Sequence, residues 1–163
     1  MSAQGVEAAA DTVNVVSPET YIGYERADNF VSPSGMIVNK PRVYAKAGSL
    51  DINQWTLSGN WTVEKESASL NAANGGITFR FHARDLHLVL GPGADSKLVR
   101  FRVLIDGKAP GAAHGVDIDA EGNGTIVGQR LYQLVRQDEP IGDQTFQIEF
   151  LDPGAQAFAF TFG

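Results

Sequence analysis

Cysteine is absent from the 163 residues, which excludes a disulfide framework, a thiolate metal site and a thiol nucleophile in this chain while leaving its compartment open. Long apolar runs are absent too. Nothing approaches the roughly 18 consecutive apolar residues of a spanning helix, and Met1 to Ala10 lacks the basic-then-apolar layout of an export signal. By itself the chain is expected neither to contact a membrane nor to direct its own export. Positive charge is scarce: thirteen Lys and Arg face nineteen Asp and Glu, a formal net charge of -6, and no basic run reverses that balance locally. Such a field repels nucleic acid. The G-x-S-x-G elbow, the G-x-x-x-x-G-K-[ST] phosphate loop and the H-E-x-x-H helix are all missing. Gly91-Pro92-Gly93-Ala94-Asp95-Ser96-Lys97 imitates a phosphate loop without its spacing and reads as a strand connection. No enzymatic activity is expected of this chain, and no cofactor.

What remains is ordinary globular material, 43% hydrophobic and 20% charged, in a length that suits one domain with one core. Eighteen glycines against two methionines, with the apolar content mostly Val, Ile, Leu and Phe, favour many short strands over a few long helices. Residues 1–18 form a polar, alanine-containing lead, with Gly5 to Ala10 resembling the frayed end of a helix; the domain proper is expected over 19–163. Punctuation by Pro33, Gly35 and Pro41 limits the next stretch to short extended pieces.

Alternation then takes over. Trp55 and Leu57 precede Ser58-Gly59-Asn60, and Trp61 and Val63 follow, which predicts a hairpin. Ile77, Phe79 and Phe81 share one face of a strand, as do Leu86, Leu88 and Leu90, then Val99, Phe101, Val103 and Ile105. Val116 and Ile118 alternate with Asp117 and Asp119 ahead of Glu121-Gly122-Asn123-Gly124, a second expected hairpin. Further strands are read at 131–135, at Phe146, Ile148 and Phe150, and at Phe158, Phe160 and Phe162. About eight to ten short strands point to an all-β fold, a two-sheet antiparallel sandwich of jelly-roll type.

Candidate binding residues fall into three groups. Arg80 and His82 on one strand, and Arg100 and Arg102 on another, lie opposite core residues and predict a basic stripe on one sheet face. Such a stripe suits a sugar, a carboxylate or a partner domain, or is simply a solvated face paired with acids. Trp55, Trp61 and Tyr132 serve either as platforms for a sugar ring or as core. Asp117, Asp119, Glu121 and Asn123 place oxygen atoms at alternate positions with Gly122 sixth, as a calcium loop does, but the twelfth position is Gly128 where a bidentate acid belongs. Calcium is thus possible there, with a plain hairpin preferred. His82, His87 and His114 show no spacing that would gather them around zinc.

Several blocks together resemble a known family. Pro18-Glu19-Thr20-Tyr21-Ile22-Gly23-Tyr24-Glu25-Arg26-Ala27, Trp55-Thr56-Leu57-Ser58-Gly59-Asn60-Trp61 and Phe79 through Gly91 are similar to the C-terminal domain of DipZ-type thioredoxin-like proteins. So are His114-Gly115-Val116-Asp117, Leu131-Tyr132-Gln133-Leu134 and the closing Phe158 through Gly163. The resemblance implies a domain that follows a thioredoxin-fold domain bearing a C-x-x-C pair, often behind a membrane segment that passes electrons outward for thiol reduction or cytochrome c maturation. It implies an extracytoplasmic location, a galactose-binding-like jelly roll, and two possible roles: a carbohydrate-binding-like module for cell-wall or surface glycans, or a docking domain for the thioredoxin-fold partner. Trp55, Trp61, Arg80, His82, Arg100, Arg102, His114 and Tyr132 are the residues expected to contact a ligand.

Overall fold

The computed structural model describes residue 9, residues 13–95 and residues 97–163. Eleven strands lie among them: β1 Thr20–Tyr21, β2 Arg42–Tyr44, β3 Trp55–Val63, β4 Ala68–Leu70, β5 Gly75–Phe81, β6 Asp85–Gly91, β7 Val99–Ile105, β8 Asn123–Ile126, β9 Arg130–Arg136, β10 Gln144–Phe150 and β11 Gln156–Phe162. Every strand pairing is antiparallel. The front sheet runs β8-β7-β10-β5-β3 and the back sheet β3-β4-β11-β6-β9, with β2 beside β3 and β1 beside β11. The chain is a two-sheet β-sandwich, as its alternation predicts.

Strand β3 belongs to both layers and corrects the first expected hairpin. Trp55 to Ser58 pair with β5 in front, while Gly59 to Val63 pair with β2 and β4 behind. Gly59, at φ +93°, is where the strand bends between sheets, and a Cβ there would lie 2.7 Å from the Gly75 Cα. The apolar alternation through 55, 57, 61 and 63 stays in phase across the glycine, so the segment is one bent strand and not two strands around a turn. The second expected hairpin is also corrected: residues 115–122 form a loop, and pairing starts only at Asn123. Asp117 and Asp119 accept backbone N–H groups through their side chains, and these bonds replace the strand ladder.

The inner faces meet through aromatic rings. Phe79 of β5 lies 4.9 Å from Phe160 of β11, Trp61 of β3 meets Phe150 of β10 at 5.8 Å, and Phe101 of β7 meets Tyr132 of β9 at 6.4 Å. All six are essentially inaccessible to solvent. Burying each contributes about 1.5–3 kcal/mol, which is what closes the two layers.

The sandwich has two poles. At one, Asp85 pairs with Arg136, Leu86 with Phe162 and Phe81 with Gln144; at the other, Gly91 pairs with Gln156 and Gly75 with Phe150. The seven residues of β6 separate them by roughly 20 Å. Both ends of the described chain gather at the first pole: the Val16 and Ser17 N–H groups donate to the His82 carbonyl, and Asp85 and Gly163 exchange two backbone hydrogen bonds. Ser17 is buried, so domain contacts already begin inside the stretch read as a lead. The helical end expected over 5–10 lies outside the described residues, apart from Ala9. No helix among the described residues is long and apolar enough to cross a membrane.

Candidate functional site

The aromatic candidates are core. Trp55 and Trp61 have no exposed surface; the Trp55 indole N–H donates to the Asp28 carbonyl at 2.8 Å, and that of Trp61 to the Ser58 carbonyl at 2.8 Å. Tyr132 is equally buried, with its hydroxyl accepting from the Val127 N–H at 3.0 Å and donating to the Gly128 carbonyl at 2.7 Å. None presents a ring to stack on a sugar, which corrects that expectation: the polar atom each ring carries is satisfied internally, so burial costs little.

The arginines do share the outer face of the front sheet, across β5, β10 and β7, but not a single site. Arg80 stands opposite Thr145 and Arg102 opposite Glu149, four residues apart along β10, or roughly 13 Å. Local acids lie against most of the stripe. The Arg80 Nη1 donates to Thr145 Oγ1 at 3.1 Å and lies 3.8 Å from Asp106, His82 Nδ1 sits 2.8 Å from Asp143, and the Arg100 fork closes on Asp152 at 2.8 and 2.9 Å. His114 is remote from this face, beside β9, with its Nδ1 2.9 Å from the Gly115 carbonyl. Among the described residues no three His, Asp or Glu side chains are grouped to hold a metal ion.

The two loop aspartates point at different partners. Asp117 accepts from the Arg130 guanidinium at 2.9 Å and from the Gln133 N–H at 2.7 Å, which ties the loop to β9. Asp119 Oδ1 accepts the N–H groups of Asn123 and Glu121 at 2.9 and 3.0 Å, and the Asn123 bond above all holds its carboxyl below the usual range. Asp117 thus serves β9, while Asp119 serves the backbone of its own loop and the start of β8.

Arg100, Asp119 and Asn123 are nevertheless brought together, with Gly124, Thr125 and Leu151, around an open hollow of about 450 Å³ at the β7–β8 side of the front sheet. Gly124 is needed here because a Cβ would lie 2.5 Å from the Phe101 ring beneath it. Asp152 takes the Arg100 side chain and also its backbone N–H, which lowers the Asp152 carboxyl to about 2 and raises the guanidinium in turn. With Arg100 paired to Asp152, the hollow offers mainly the Thr125 hydroxyl and the Asn123 amide, which itself hydrogen-bonds the ionised Asp119 carboxylate. Thr125 and Asp152 were not anticipated. Nothing local in the sequence links Asp152 to Arg100, 52 residues away.

A second concavity lies on the back sheet. Strands β4 and β1 pair in succession with β11, at Gln156–Ala157 and at Ala159–Phe160, and a bulge between Ala157 and Ala159 interrupts the register. The junction opens a groove of about 230 Å³ lined by Tyr21, Gly23, Glu25, Arg26, Lys65, Glu66, Phe158 and Ala159. The bulge breaks the sequence alternation, and Phe158 stays part-exposed in the groove while Phe160 is buried in the core.

These features define a thiol-free β-sandwich module with its concavities on the surface. The chain belongs to the family described as the thioredoxin like C-terminal domain, which matches residues 17–163. Protein DipZ of Mycobacterium bovis and Protein DipZ of Mycobacterium tuberculosis are each 25% identical to it over 155 residues, 91% of this chain and 19% of theirs. The chain therefore spans about a fifth of the length of these curated relatives. Among solved structures, a family two carbohydrate esterase from Clostridium thermocellum in complex with cellohexaose aligns with a TM-score of 0.45 at 11% identity, over 60% of this chain and 27% of the other.

Proposed function

We propose that this chain is a non-catalytic accessory module of an extracytoplasmic thiol-disulfide oxidoreductase whose redox chemistry resides in a thioredoxin-fold domain, and that it holds that enzyme near cell-wall or surface glycans. The absence of any cysteine supports the division of labour, since disulfide exchange needs a thiolate. The observation that carries the glycan reading is the hollow beside Arg100. An amide, a hydroxyl and an ionised carboxylate suit the paired hydroxyls of a sugar, and the hollow's β7 residue Arg100 lies toward the pole opposite the one at which Val16, Ser17 and Gly163 are fastened. With no aromatic platform, each contact is weak. The test is binding of the folded chain to cell-wall polysaccharide, alongside Thr125→Val and Asn123→Ala. At least an about fivefold loss in these variants supports the hollow; no retention of the unmodified chain on any glycan sinks the reading.

A second reading, docking onto the thioredoxin-fold partner, is favoured by the opposite pole. There the Arg84 Nη2 donates to the Ala9 carbonyl at 2.6 Å, and the backbone of Val16 and Ser17 is bonded to His82. A preceding domain attached through this stretch is held close to the sandwich. Binding to the separately produced thioredoxin-fold domain, with none to glycan, selects this second role.

A further inference from the structure

We propose that the hollow selects neutral sugars carrying an acetamido group, with the exposed side chains of Leu98 and Val127 as the platform for its methyl; this rests on the glycan reading of the hollow. Strands β7 and β8 form a ribbon in which Val99 pairs with Ile126 and Arg100 with Thr125, and Leu98 and Val127 continue that register by one residue. Val99 and Ile126 are fully buried, so alternation turns Leu98 and Val127 to the outer face, beside Arg100 and Thr125, where they are 60% and 66% exposed. Cβ atoms facing each other across antiparallel strands lie about 4.5–5.5 Å apart, which makes the two aliphatic side chains one patch. The Tyr132 hydroxyl fixes the Val127 backbone by accepting its N–H at 3.0 Å, and Leu151 adds a third aliphatic group on the other side of Arg100. Along β8 the outer face therefore reads amide, hydroxyl, isopropyl at Asn123, Thr125 and Val127.

Charge argues against an acidic sugar. Arg100 is paired with Asp152, Arg102 stands opposite Glu149, and Lys97 lies beside Asp95, which accepts its N–H at 3.1 Å; the ionised Asp119 and the exposed Glu121 are then in excess. Asp119 also offers little to an ammonium group, because it already accepts the Glu121 and Asn123 N–H groups and the Asn123 side chain. A neutral ligand remains. The Asn123 amide spends an N–H on Asp119, which leaves its Oδ1 to accept from a ligand, while the Thr125 hydroxyl donates to a carbonyl. Sugar hydroxyls meet those two groups but leave Leu98 and Val127 bare. An acetamido group supplies an N–H, a carbonyl and a methyl in one planar unit, so it satisfies both polar groups and covers apolar surface at once.

The test is a two-dimensional amide NMR titration of the 163-residue chain with chitotriose, which is acetamido-substituted on every ring, with its deacetylated counterpart, and with cellotriose. Chitotriose is expected to shift the amides of Leu98, Arg100, Thr125 and Val127 with a dissociation constant about fivefold or more below that of cellotriose, the gain from one covered methyl and one added hydrogen bond. Leu98→Ser combined with Val127→Ser should bring chitotriose to the level of cellotriose and leave cellotriose unchanged, a split that general damage to the fold does not give. Because the unmodified chain supplies the main readout, the proposal does not depend on the variant folding. Equal binding of chitotriose and cellotriose at these amides overturns the acetamido selection and leaves the glycan reading standing. Tighter binding of the deacetylated trimer, or no shift from chitotriose at roughly 10 mM, overturns it as well, and retention on polysaccharide then decides the glycan reading separately. A double variant that keeps the preference for chitotriose removes Leu98 and Val127 from the site.

Discussion

Replacing Asp85 is expected to loosen the pole where Val16, Ser17 and Gly163 are fastened. Its carboxylate is 2% exposed and is gripped by two guanidinium groups: Arg84 donates through Nε and Nη2 at 3.1 and 2.8 Å, and Arg136 through Nε at 3.1 Å. Removing one partner of a buried ion pair costs about 3–5 kcal/mol, because the remaining charge is left without compensation. Here the Arg84 and Arg136 side chains keep 24% and 20% of their exposure, so water recovers part of that loss. Asp85→Ala should therefore fall at the lower end, about 3 kcal/mol. For a chain of this size each kcal/mol moves the thermal midpoint by about 2–4 °C, giving a fall of roughly 6–12 °C by circular dichroism. Amide exchange should accelerate first at Gly163 and Gln137, whose N–H groups are bonded to the Asp85 and Arg84 carbonyls. A midpoint lowered by less than about 3 °C, with unchanged exchange at these amides, would refute the claim that this cluster secures the pole.

Acid should selectively erase the contribution of Asp152. Its folded carboxyl titrates at about 2 while an unfolded one titrates near 3.9, so the stabilisation is full above about pH 4 and disappears as pH falls toward 2. The unmodified chain and Asp152→Asn should converge in urea stability over that window, and a constant difference between them contradicts the assignment. Gly59→Ala, which meets both a φ of +93° and the Gly75 backbone, is expected to cost about 2 kcal/mol or more in urea unfolding. Gly48→Ala, with nothing within 4 Å of the added methyl, is the control and should be near neutral. Calcium at roughly 2 mM should raise the melting temperature by less than about 1 °C, because Asp117 and Asp119 are committed to different donors. A large rise abolished by Asp119→Ala would restore the calcium loop.

The long strands were legible because one period governs them: β5, β6, β7 and β10 each carry apolar residues at every second position, and those residues are the core. Legibility failed where a local cue had two meanings. Ser58-Gly59-Asn60 has hairpin composition, yet unbroken phase from Trp55 to Val63 marks a bend, and that phase was the better signal. Val116 and Ile118 alternate as a strand does, but the intervening aspartates cap their own loop. The hollow was hidden for a different reason. Arg100, Asn123 and Leu151 meet only because β7 pairs with both β8 and β10, and strand order is not written in any short window. Burial of Trp55, Trp61 and Tyr132 was equally out of reach, since alternation assigns a face without saying whether another layer covers it.

The placement of the hollow bears on how tightly it needs to bind. Arg100, on the hollow's rim, sits toward the end of the front sheet at which Phe101 pairs with Phe150, while Val16, Ser17 and Gly163 are fastened at the other. The strands therefore separate the hollow from the pole that holds Val16, Ser17 and Gly163 by roughly 20 Å. On the proposed glycan reading, one contact would confine an attached enzyme near the surface at a high effective concentration, and several would multiply retention without a strong individual site. An exposed amide, hydroxyl and carboxylate without an aromatic platform suit the weak, fast-exchanging contacts which that proposal requires.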